Sequence, residues 1–373
     1  MAYFRLQFTK VLKSSLTWII FGIVLLSAGL ILSYNAISGE QNSIRYQISQ
    51  DLRRKGQSQN NLPLKKNTLK NEKLILKALD KGNWRKAYSL MIRQNNEQAT
   101  QVKIGGENLR QETKQKNTRL QALWHTNLPE ENEQHPQKGW LFLFKLSEGF
   151  LPAMLTVMLS FILSKLFASK YVARLNRTEL LPSKNVVVLD LILGLLVGLG
   201  LTLLIILIIW GCSSLLFGVG SLRYPIQGVA LSGNLKGTYQ PLSNWLIPSL
   251  VLFFLAVIFI ILLILFLSQV TRNQLSCLFL ALFVLLGGAV LPFVLQSASS
   301  QAVKAQTGII QYLPMTYLLS TQVITGRLAI MLQNSTLNFT FGCDVLLVAI
   351  VSLTILNLLW PYLSKKSIKN TFK

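Results

Sequence analysis

Two histidines, three cysteines and fourteen acidic residues are the side chains of this chain that most often bind metals or transfer protons in catalysis. The histidines, His125 and His135, stand ten residues apart in a polar stretch that contains no cysteine. Zinc sites usually bring His and Cys ligands together at short, regular spacings. No Ser, His and Asp residues have a placement typical of a nucleophilic enzyme. The residue types therefore predict neither a metal site nor a catalytic site.

A phosphate-binding loop is the next chemistry to consider. GVALSG, from Gly228 to Gly233, has the glycine spacing of such a loop. It continues as Asn-Leu and so lacks the Lys-Ser/Thr pair that contacts phosphate and Mg²⁺. Gly194, Gly198 and Gly200 stand in an apolar run, where small residues let helices approach closely. We expect no nucleotide or other cofactor in this chain.

The elements that position these side chains are mostly apolar. Of 373 residues, 51% are hydrophobic and 14% charged, whereas soluble domains carry about 25% charged residues. Because a backbone in hydrocarbon must satisfy its own hydrogen bonds, each apolar run of roughly 20 residues is expected to be a spanning helix. The sequence therefore predicts an all-α integral membrane protein with six transmembrane helices. The predicted spans are 16–37, 146–168, 186–211, 245–268, 275–297 and 343–363.

The distribution of basic residues predicts the orientation of these spans. With the N-terminus inside, the cytoplasmic segments contain thirteen Lys and Arg residues and the two short outside segments contain four. Short cytoplasmic loops are enriched in Lys and Arg. Both termini are therefore expected to lie in the cytoplasm.

A long hydrophilic segment, 38–144, follows the first span. It contains 19 Lys and Arg and 10 Asp and Glu, and long domains cross a membrane largely regardless of charge. Apolar residues recur at helical spacing around a KGN break at 81–83, and a second stripe surrounds Leu120. LPEENEQHP, with its two prolines, is interpreted as a linker back to the membrane. The segment is predicted to be a small helical extracytoplasmic domain.

The first fifteen residues, MAYFRLQFTKVLKSS, combine an apolar face with positive charge. Phe4, Phe8, Val11 and Leu12 recur at helical spacing, with three basic residues around them. This pattern is typical of a helix lying in the membrane interface, and we predict one over 1–15. The alternative is a basic topology anchor without a defined helix.

The stretch 298–342, between the last two spans, is too long for a turn and is semi-apolar. Pro314, Thr316, Tyr317 and Gly326 interrupt runs that are too short to span. Such a segment suits re-entrant or broken helices in the outer leaflet, which are tolerated where protein or water satisfies the backbone. An amphipathic surface loop is the alternative.

Three acids lie near the ends of spans. Charges within a membrane mark functional sites by default, and Glu148 and Asp344 are therefore candidate residues of a substrate path. The alternative, which applies to Asp190 as well, is an anchoring residue solvated by headgroups and water. Lys165 is expected to extend its ammonium group towards the interface.

RLNRTELLPSKN, residues 174–185, is a short polar island between the second and third spans. Together with the other parts, it resembles the membrane subunit of an ABC transporter of the ABC-2 permease class, in bacteria. LLPSKNVVVLDLILG (180–194) is similar to the run that leads into the family's third span. YLPMTYLLSTQVITG (312–326) resembles the segment before its last span. VARLNRTE departs from the Glu and Gly-Thr that the family often has early in the first loop.

The resemblance implies a permease subunit without a catalytic site. Its partners would be cytoplasmic ABC ATPase subunits that bind ATP and Mg²⁺, a second permease chain and the lipid bilayer, but no nucleic acid. It would lie in the bacterial cytoplasmic membrane and export a peptide, lipid-like or amphipathic compound. The loop 169–185 would couple to the ATPase, and the segment 298–342 would close the outer end of the path. The implied coupling residues are Arg174, Arg177, Glu179, Pro182 and Lys184, and the implied outer gate residues are Tyr312, Pro314, Thr316 and Tyr317.

A second class of function is also compatible with the sequence. In this alternative, the chain is a non-transporting membrane sensor or immunity protein. Its basic outside domain would then recognise a ligand or an anionic polymer of the envelope. An ATPase that co-purifies with the chain and is stimulated by it would favour the permease.

Overall fold

The computed structural model describes residues 2–41, 43–57, 63–101, 106–172, 183–229, 237–297 and 308–371. The coupling residues Arg174, Arg177, Glu179 and Pro182 lie outside the described residues. Most described residues are helical, as predicted. The α-helices are α1 Ala2–Leu12, α2 Ser15–Gln41, α3 Ile44–Gln57, α4 Pro63–Asp80, α5 Trp84–Gln101, α6 Gly106–Thr126, α7 Gly139–Leu146, α8 Phe150–Val172, α9 Ser183–Phe217, α10 Leu242–Thr271, α11 Gln274–Ser297, α12 Ser320–Ile324, α13 Arg327–Met331 and α14 Phe339–Thr371.

Six of these helices, α2, α8, α9, α10, α11 and α14, are long and apolar enough to cross a membrane. Five of them contain the corresponding predicted span, and α8 overlaps the span predicted over 146–168 but begins at Phe150. The prediction of a multi-pass helical membrane protein is therefore confirmed. Many large apolar side chains on α2, α9 and α14 are exposed, as expected of surfaces that face lipid. The placement of the chain in a particular membrane and the side on which the termini lie stay predictions.

The described chain divides into two compact units. The span unit comprises Met1–Gly29, Leu146–Gly211 and Leu246–Lys373. The polar-helix unit comprises Leu30–Lys145 and Cys212–Trp245. The first is built from apolar helices together with α1, and the second from α3–α6 and a short hairpin.

Close helix packing in the span unit depends on glycine. A Cβ atom at Gly194 of α9 would lie 2.5 Å from the Phe167 ring of α8, and one at Gly198 would lie 2.6 Å from Ile261 of α10. Nothing lies within 4 Å of the same position at Gly200. Two of the three glycines in this run therefore permit close approach, and the third does not contribute.

The polar-helix unit is organised around a helical hairpin. The turn between α4 and α5 falls at 81–83, where the KGN break was predicted, and Gly82 has the positive φ of 67° that favours glycine. Ile75, Ala78 and Ala87 form a small buried core between these helices. The described part of 38–144 is mostly helical, and its extracytoplasmic location stays a prediction.

An antiparallel hairpin in the polar-helix unit was not predicted. Strand β1, Pro225–Val229, pairs with β2, Gly237–Pro241, so that Ile226 faces Gln240. Each strand has five residues and contains glycine, which weakens the local strand signal. Tertiary packing stabilises it, since a Cβ atom at Gly228 would lie 2.2 Å from the Trp245 ring. GVALSG therefore begins in a packed strand.

The described part of the stretch between α11 and α14 consists of short helical turns. A 3-10 helix, Pro314–Leu319, leads into α12, and α13 follows after Gly326, whose φ is 72°. Proline at the start and a left-handed glycine in the middle interrupt helix continuation. The described part of this stretch therefore consists of separate short turns rather than one continuous helix. The depth of the segment in the membrane stays a prediction.

Candidate functional site

The buried ion pair beside the predicted coupling loop is the first candidate site. Lys170 near the end of α8 pairs with Asp190 in α9, and their side chains are 8% and 4% exposed. These helices flank the segment 173–182, so the pair joins the two ends of the predicted loop. Lys184 lies in the first turn of α9. The sequence suggested only an anchoring role for Asp190, and its pairing with Lys170 was not predicted.

At the outer segment, Thr316 and Tyr317 are fully buried. The Tyr317 hydroxyl donates a 2.6 Å hydrogen bond to the Gln311 carbonyl, and the Thr316 hydroxyl donates one of 3.0 Å to the Ile310 carbonyl. The Tyr317 ring packs on Gly342 of α14. The two hydrogen bonds therefore hold the segment together, and the Tyr317 ring attaches it to α14.

The other two predicted gate residues occupy different environments. Tyr312 is 62% exposed, and its ring packs edge-on against Phe341 at 5.6 Å between centroids. Pro314 begins the 3-10 helix. Of the four predicted residues, Tyr312 presents the most accessible surface.

A cluster of four buried hydroxyl groups links this segment to two spans. Thr321 of α12 lies 2.7 Å from Ser147, which precedes α8, and 2.6 Å from Ser249 of α10, measured between hydroxyl oxygens. Ser249 also lies 3.3 Å from Ser320. All four residues are buried. We call Ser147, Ser249, Ser320 and Thr321 the hydroxyl cluster, which sequence reasoning missed because its members lie far apart in the chain.

Glu148 lies beside the hydroxyl cluster, while Asp344 stands apart. The Glu148 carboxylate pairs with Arg327 of α13 at 2.5 Å, and its carbonyl accepts a 2.7 Å hydrogen bond from Gln322. Asp344 is exposed on α14, and no hydrogen bond or ion pair joins it to the described residues. Of the two substrate-path candidates, the structure brings only Glu148 to the outer segment.

A partly buried charge network lies in the polar-helix unit. Arg119 of α6 lies 3.1 Å from the Glu133 carboxylate and 3.5 Å from that of Glu130. Its guanidinium also donates to the Glu131 carbonyl, and the Tyr224 hydroxyl donates to the same carbonyl at 2.8 Å. The segment LPEENEQHP, interpreted as a linker, is therefore packed against α6 and the hairpin. The three glutamates of LPEENEQHP, which follow Arg119 closely in the sequence, were the feature that could have indicated this contact.

Burial shifts the pKa values of the acids in this network. It raises the pKa of Glu130 to about 7, against the lowering effects of the Arg119 charge and the Ile44 N–H. It also raises the pKa of Glu131, although Lys138 lies 2.9 Å from that carboxylate and lowers it. Glu130 is therefore poised to gain or lose a proton near neutral pH.

A cavity of about 430 Å³ borders this network. Its polar wall includes Glu40, Glu130, Glu131 and Lys138, and Phe217 contributes an apolar surface. The volume falls within the range of about 300–1,000 Å³ that is usual for small-molecule sites. Three carboxylates and one ammonium group on its wall favour a cationic ligand.

These arrangements can bind and position groups through hydroxyl, carboxylate and ammonium contacts. Within the described ranges, no three His, Cys, Asp or Glu residues lie close enough together to hold a metal ion.

Comparison of the chain with protein-family models, with curated proteins and with solved structures found no match.

Proposed function

We propose that this chain is the transmembrane permease subunit of an ATP-driven transporter of the ABC-2 class, exporting a peptide, lipid-like or amphipathic compound. The observation that carries the proposal is the order of its parts. The helix α1 precedes six apolar helices. A polar helical segment separates the first two apolar helices, and short helical turns precede the sixth. The motifs at 180–194 and 312–326 support the same assignment.

In this proposal, the cytoplasmic end of α8 and α9 receives the motion of the ATPase. The partner subunits bind ATP and Mg²⁺ and dock on Arg174, Arg177 and Glu179. The Lys170–Asp190 pair joins α8 to α9, so a displacement of the loop moves both helices together. A low-dielectric surrounding strengthens such a pair relative to one in water.

The outer segment serves as the gate at the other end of the path. The hydroxyl cluster bonds α12 to α10 and to the residues before α8. Hydroxyl groups exchange hydrogen-bond partners at low cost, because each can donate and accept. The cluster can therefore release and re-form as the helices move, while Tyr317 keeps the segment attached to α14.

Charge reversal at the coupling loop tests the docking role. We expect the Arg174→Glu/Arg177→Glu double variant to lose binding of the partner ATPase and stimulation of its turnover, because two favourable contacts become repulsive. Pull-down and ATPase rates in reconstituted vesicles measure both effects. Arg53→Glu/Arg54→Glu in α3 is the matched control. Unchanged binding and turnover in the loop variant would contradict docking there.

The proposed location is the bacterial cytoplasmic membrane, with both termini in the cytoplasm. A cysteine introduced at Gln111, which is exposed on α6, should react with an impermeant thiol reagent in intact cells. One at Ser183 should react only after lysis. The experiment uses a background in which the three native cysteines are replaced by Ala. Labelling of the Ser183→Cys variant alone in intact cells would invert the topology.

The cavity in the polar-helix unit favours a second candidate function, a membrane sensor or immunity protein that binds a ligand outside. The overall charge of 38–144 would attract an anionic polymer. The carboxylates of the cavity favour an amine instead. An experiment can distinguish the permease from the sensor, because a sensor would bind its ligand without an associated ATPase.

Binding of a fluorescent alkylamine, dansylcadaverine, tests the cavity. Because the cation favours ionised Glu130, whose pKa is about 7, affinity should rise as pH increases from 6 to 8. Glu130→Gln should remove this pH dependence and weaken binding several-fold. Glu112→Gln, at an exposed pair with Lys116, is the control. Equal, pH-independent binding by all three proteins would rule out an amine site.

A further inference from the structure

One side of α4 carries a straight row of lysines. Lys70, Lys73 and Lys77 follow one another at helical spacings of three and four residues. Lys81 continues the row in the turn after α4, where its N–H donates to the Lys77 carbonyl at 3.3 Å. All four residues, which we call the lysine row, are exposed. At a rise of about 1.5 Å per residue, neighbouring lysines lie about 4.5–6 Å apart along the helix axis.

The opposite side of α4 is used in the core of the polar-helix unit. Ile75 and Ala78 are buried there with Ala87 of α5. Among the described side chains of α4, Leu74 is the large apolar group with the most exposure, at 41%. A helix that lies on a membrane needs a continuous apolar face for the lipid, and the exposed side of α4 does not offer one. The lysine row therefore suits a partner in solution better than a lipid surface.

The acids near the lysine row do not neutralise it. Glu72 and Asp80 are the two acids between residues 69 and 86. Glu72 is buried, and Asp80 pairs with Arg45 of α3 at 2.8 Å. Asp51 on α3 is exposed, and no ion pair joins it to the row within the described part of the chain. Four neighbouring ammonium groups without a counter-charge create a positive potential that attracts an anionic partner.

The chemistry of the row favours phosphate over carboxylate groups. Arginine matches a planar carboxylate with paired N–H donors, whereas the lysine ammonium acts as a point charge, the form in which lysine binds phosphate. The row contains no arginine, and α4 contains no aromatic residue on which a nucleic-acid base could stack. A line of evenly spaced point charges therefore fits a linear polymer that repeats a phosphodiester at a similar interval.

We propose that the lysine row binds a linear phosphodiester polymer that carries no bases. The polymer lies along α4, and successive phosphate groups contact successive lysines. The proposal rests on the second candidate function in one respect, namely that the polar-helix unit binds a ligand, and it adds the position and the chemical class of that ligand. The four lysines do not line the cavity whose carboxylates favour an amine, so the two sites are separate.

Fluorescence anisotropy of end-labelled poly(glycerol phosphate), with the full-length chain in a non-ionic detergent, tests the site. For four neutralised phosphates, a plot of log affinity against log salt concentration should have a slope of about −3. Lys73→Gln/Lys77→Gln should reduce this slope to about −1.4. It should also lower the affinity roughly 25-fold, since each lysine at an anionic surface contributes about fivefold. Lys73→Arg/Lys77→Arg, which keeps both charges, should bind within about threefold of wild type.

Lys114→Gln/Lys116→Gln is the matched control for the loss of charge. It removes the same charge from exposed positions of α6, a helix that packs on α5, and should change the affinity less than about threefold. Equal losses of affinity in the two glutamine double variants would show that the net charge of the protein, rather than the lysine row, holds the polymer. That result would overturn the proposal.

Competition identifies the class of the polymer. Poly-L-glutamate of equal charge should displace the labelled polymer less effectively than unlabelled poly(glycerol phosphate). Equal displacement by poly-L-glutamate would assign the row to acidic polypeptides and overturn the proposal. Binding of single-stranded DNA about tenfold more tightly, at equal phosphate number, would assign it to nucleic acid and also overturn the proposal.

The lysine row and the amine site can be tested separately in the same protein. Glu130→Gln should leave polymer binding unchanged, and Lys73→Gln/Lys77→Gln should leave dansylcadaverine binding unchanged. If the wild type binds dansylcadaverine but not poly(glycerol phosphate), the lysine row is not a binding site, whereas the cavity remains one. If it binds the polymer alone, the lysine row is supported and the amine site is excluded.

Discussion

Replacing Asp190 with Asn is expected to destabilise the protein by about 3–5 kcal/mol, because it leaves the Lys170 ammonium buried without a counter-charge. Lys170→Met should have a comparable effect through the unpaired carboxylate. The double variant Lys170→Met/Asp190→Leu should recover most of the loss, since it removes both charges together. Unfolding temperature and denaturant midpoints in detergent micelles measure the three variants.

The surface pair of Glu112 and Lys116 supplies the control for this experiment. Its side chains are 59% and 66% exposed, and Glu112→Gln should leave the stability close to that of the wild type. Wild-type stability of Asp190→Asn would show that the buried pair contributes nothing to the fold. If the double variant folds but no longer stimulates the partner ATPase, the pair has a role in coupling beyond stability.

Tyr317→Ala is expected to destabilise the span unit by about 3–5 kcal/mol, because it removes a fully buried ring and leaves a cavity. Tyr317→Phe retains the ring and loses only the hydrogen bond to the Gln311 carbonyl, at about 1 kcal/mol. Gly342→Ala should also be harmful, since its Cβ atom would lie 2.7 Å from the Tyr317 ring. Thermal unfolding and the yield of folded protein measure these differences.

The same variants separate anchoring from gating. Tyr317→Phe and Pro314→Ala should keep the fold, and any fall in export relative to ATPase rate then reports on the gate. Tyr312→Ala, at an exposed position, should leave stability within about 0.5 kcal/mol of wild type. Wild-type export and ATPase rates in both Tyr317→Phe and Pro314→Ala would remove the segment from the mechanism.

The predictions that succeeded depend on local and averaged properties of the chain. Six spans could be predicted because an apolar run of sufficient length must form a helix in lipid, whatever its neighbours. The turn at 81–83 could be predicted because glycine and the change of periodicity act within a few residues. Proline and left-handed glycine also act on the backbone at their own positions, which is why Pro314 and Gly326 stand out in the sequence.

The contacts of the polar side chains could not be predicted in the same way, because the contacting residues come from distant parts of the sequence. Thr321 lies more than 70 residues from Ser249 and more than 170 from Ser147. Arg119 meets Glu130 and Glu133 only because the segment after α6 folds back on it, and prolines at its ends suggested a linker instead. The hairpin of β1 and β2 likewise depends on packing against Trp245 rather than on local strand propensity.

By itself, the sequence determined the class of the molecule: a multi-pass helical membrane protein with a basic, helical segment between its first two spans. Hydrophobicity and charge act residue by residue, and so they can be read without coordinates. Only the tertiary structure decided which polar groups meet. It buried Tyr317, paired Lys170 with Asp190, and brought Thr321 to Ser147 and Ser249. Hydrogen bonds and ion pairs require contact between atoms, and contact between distant residues is set by how the helices pack.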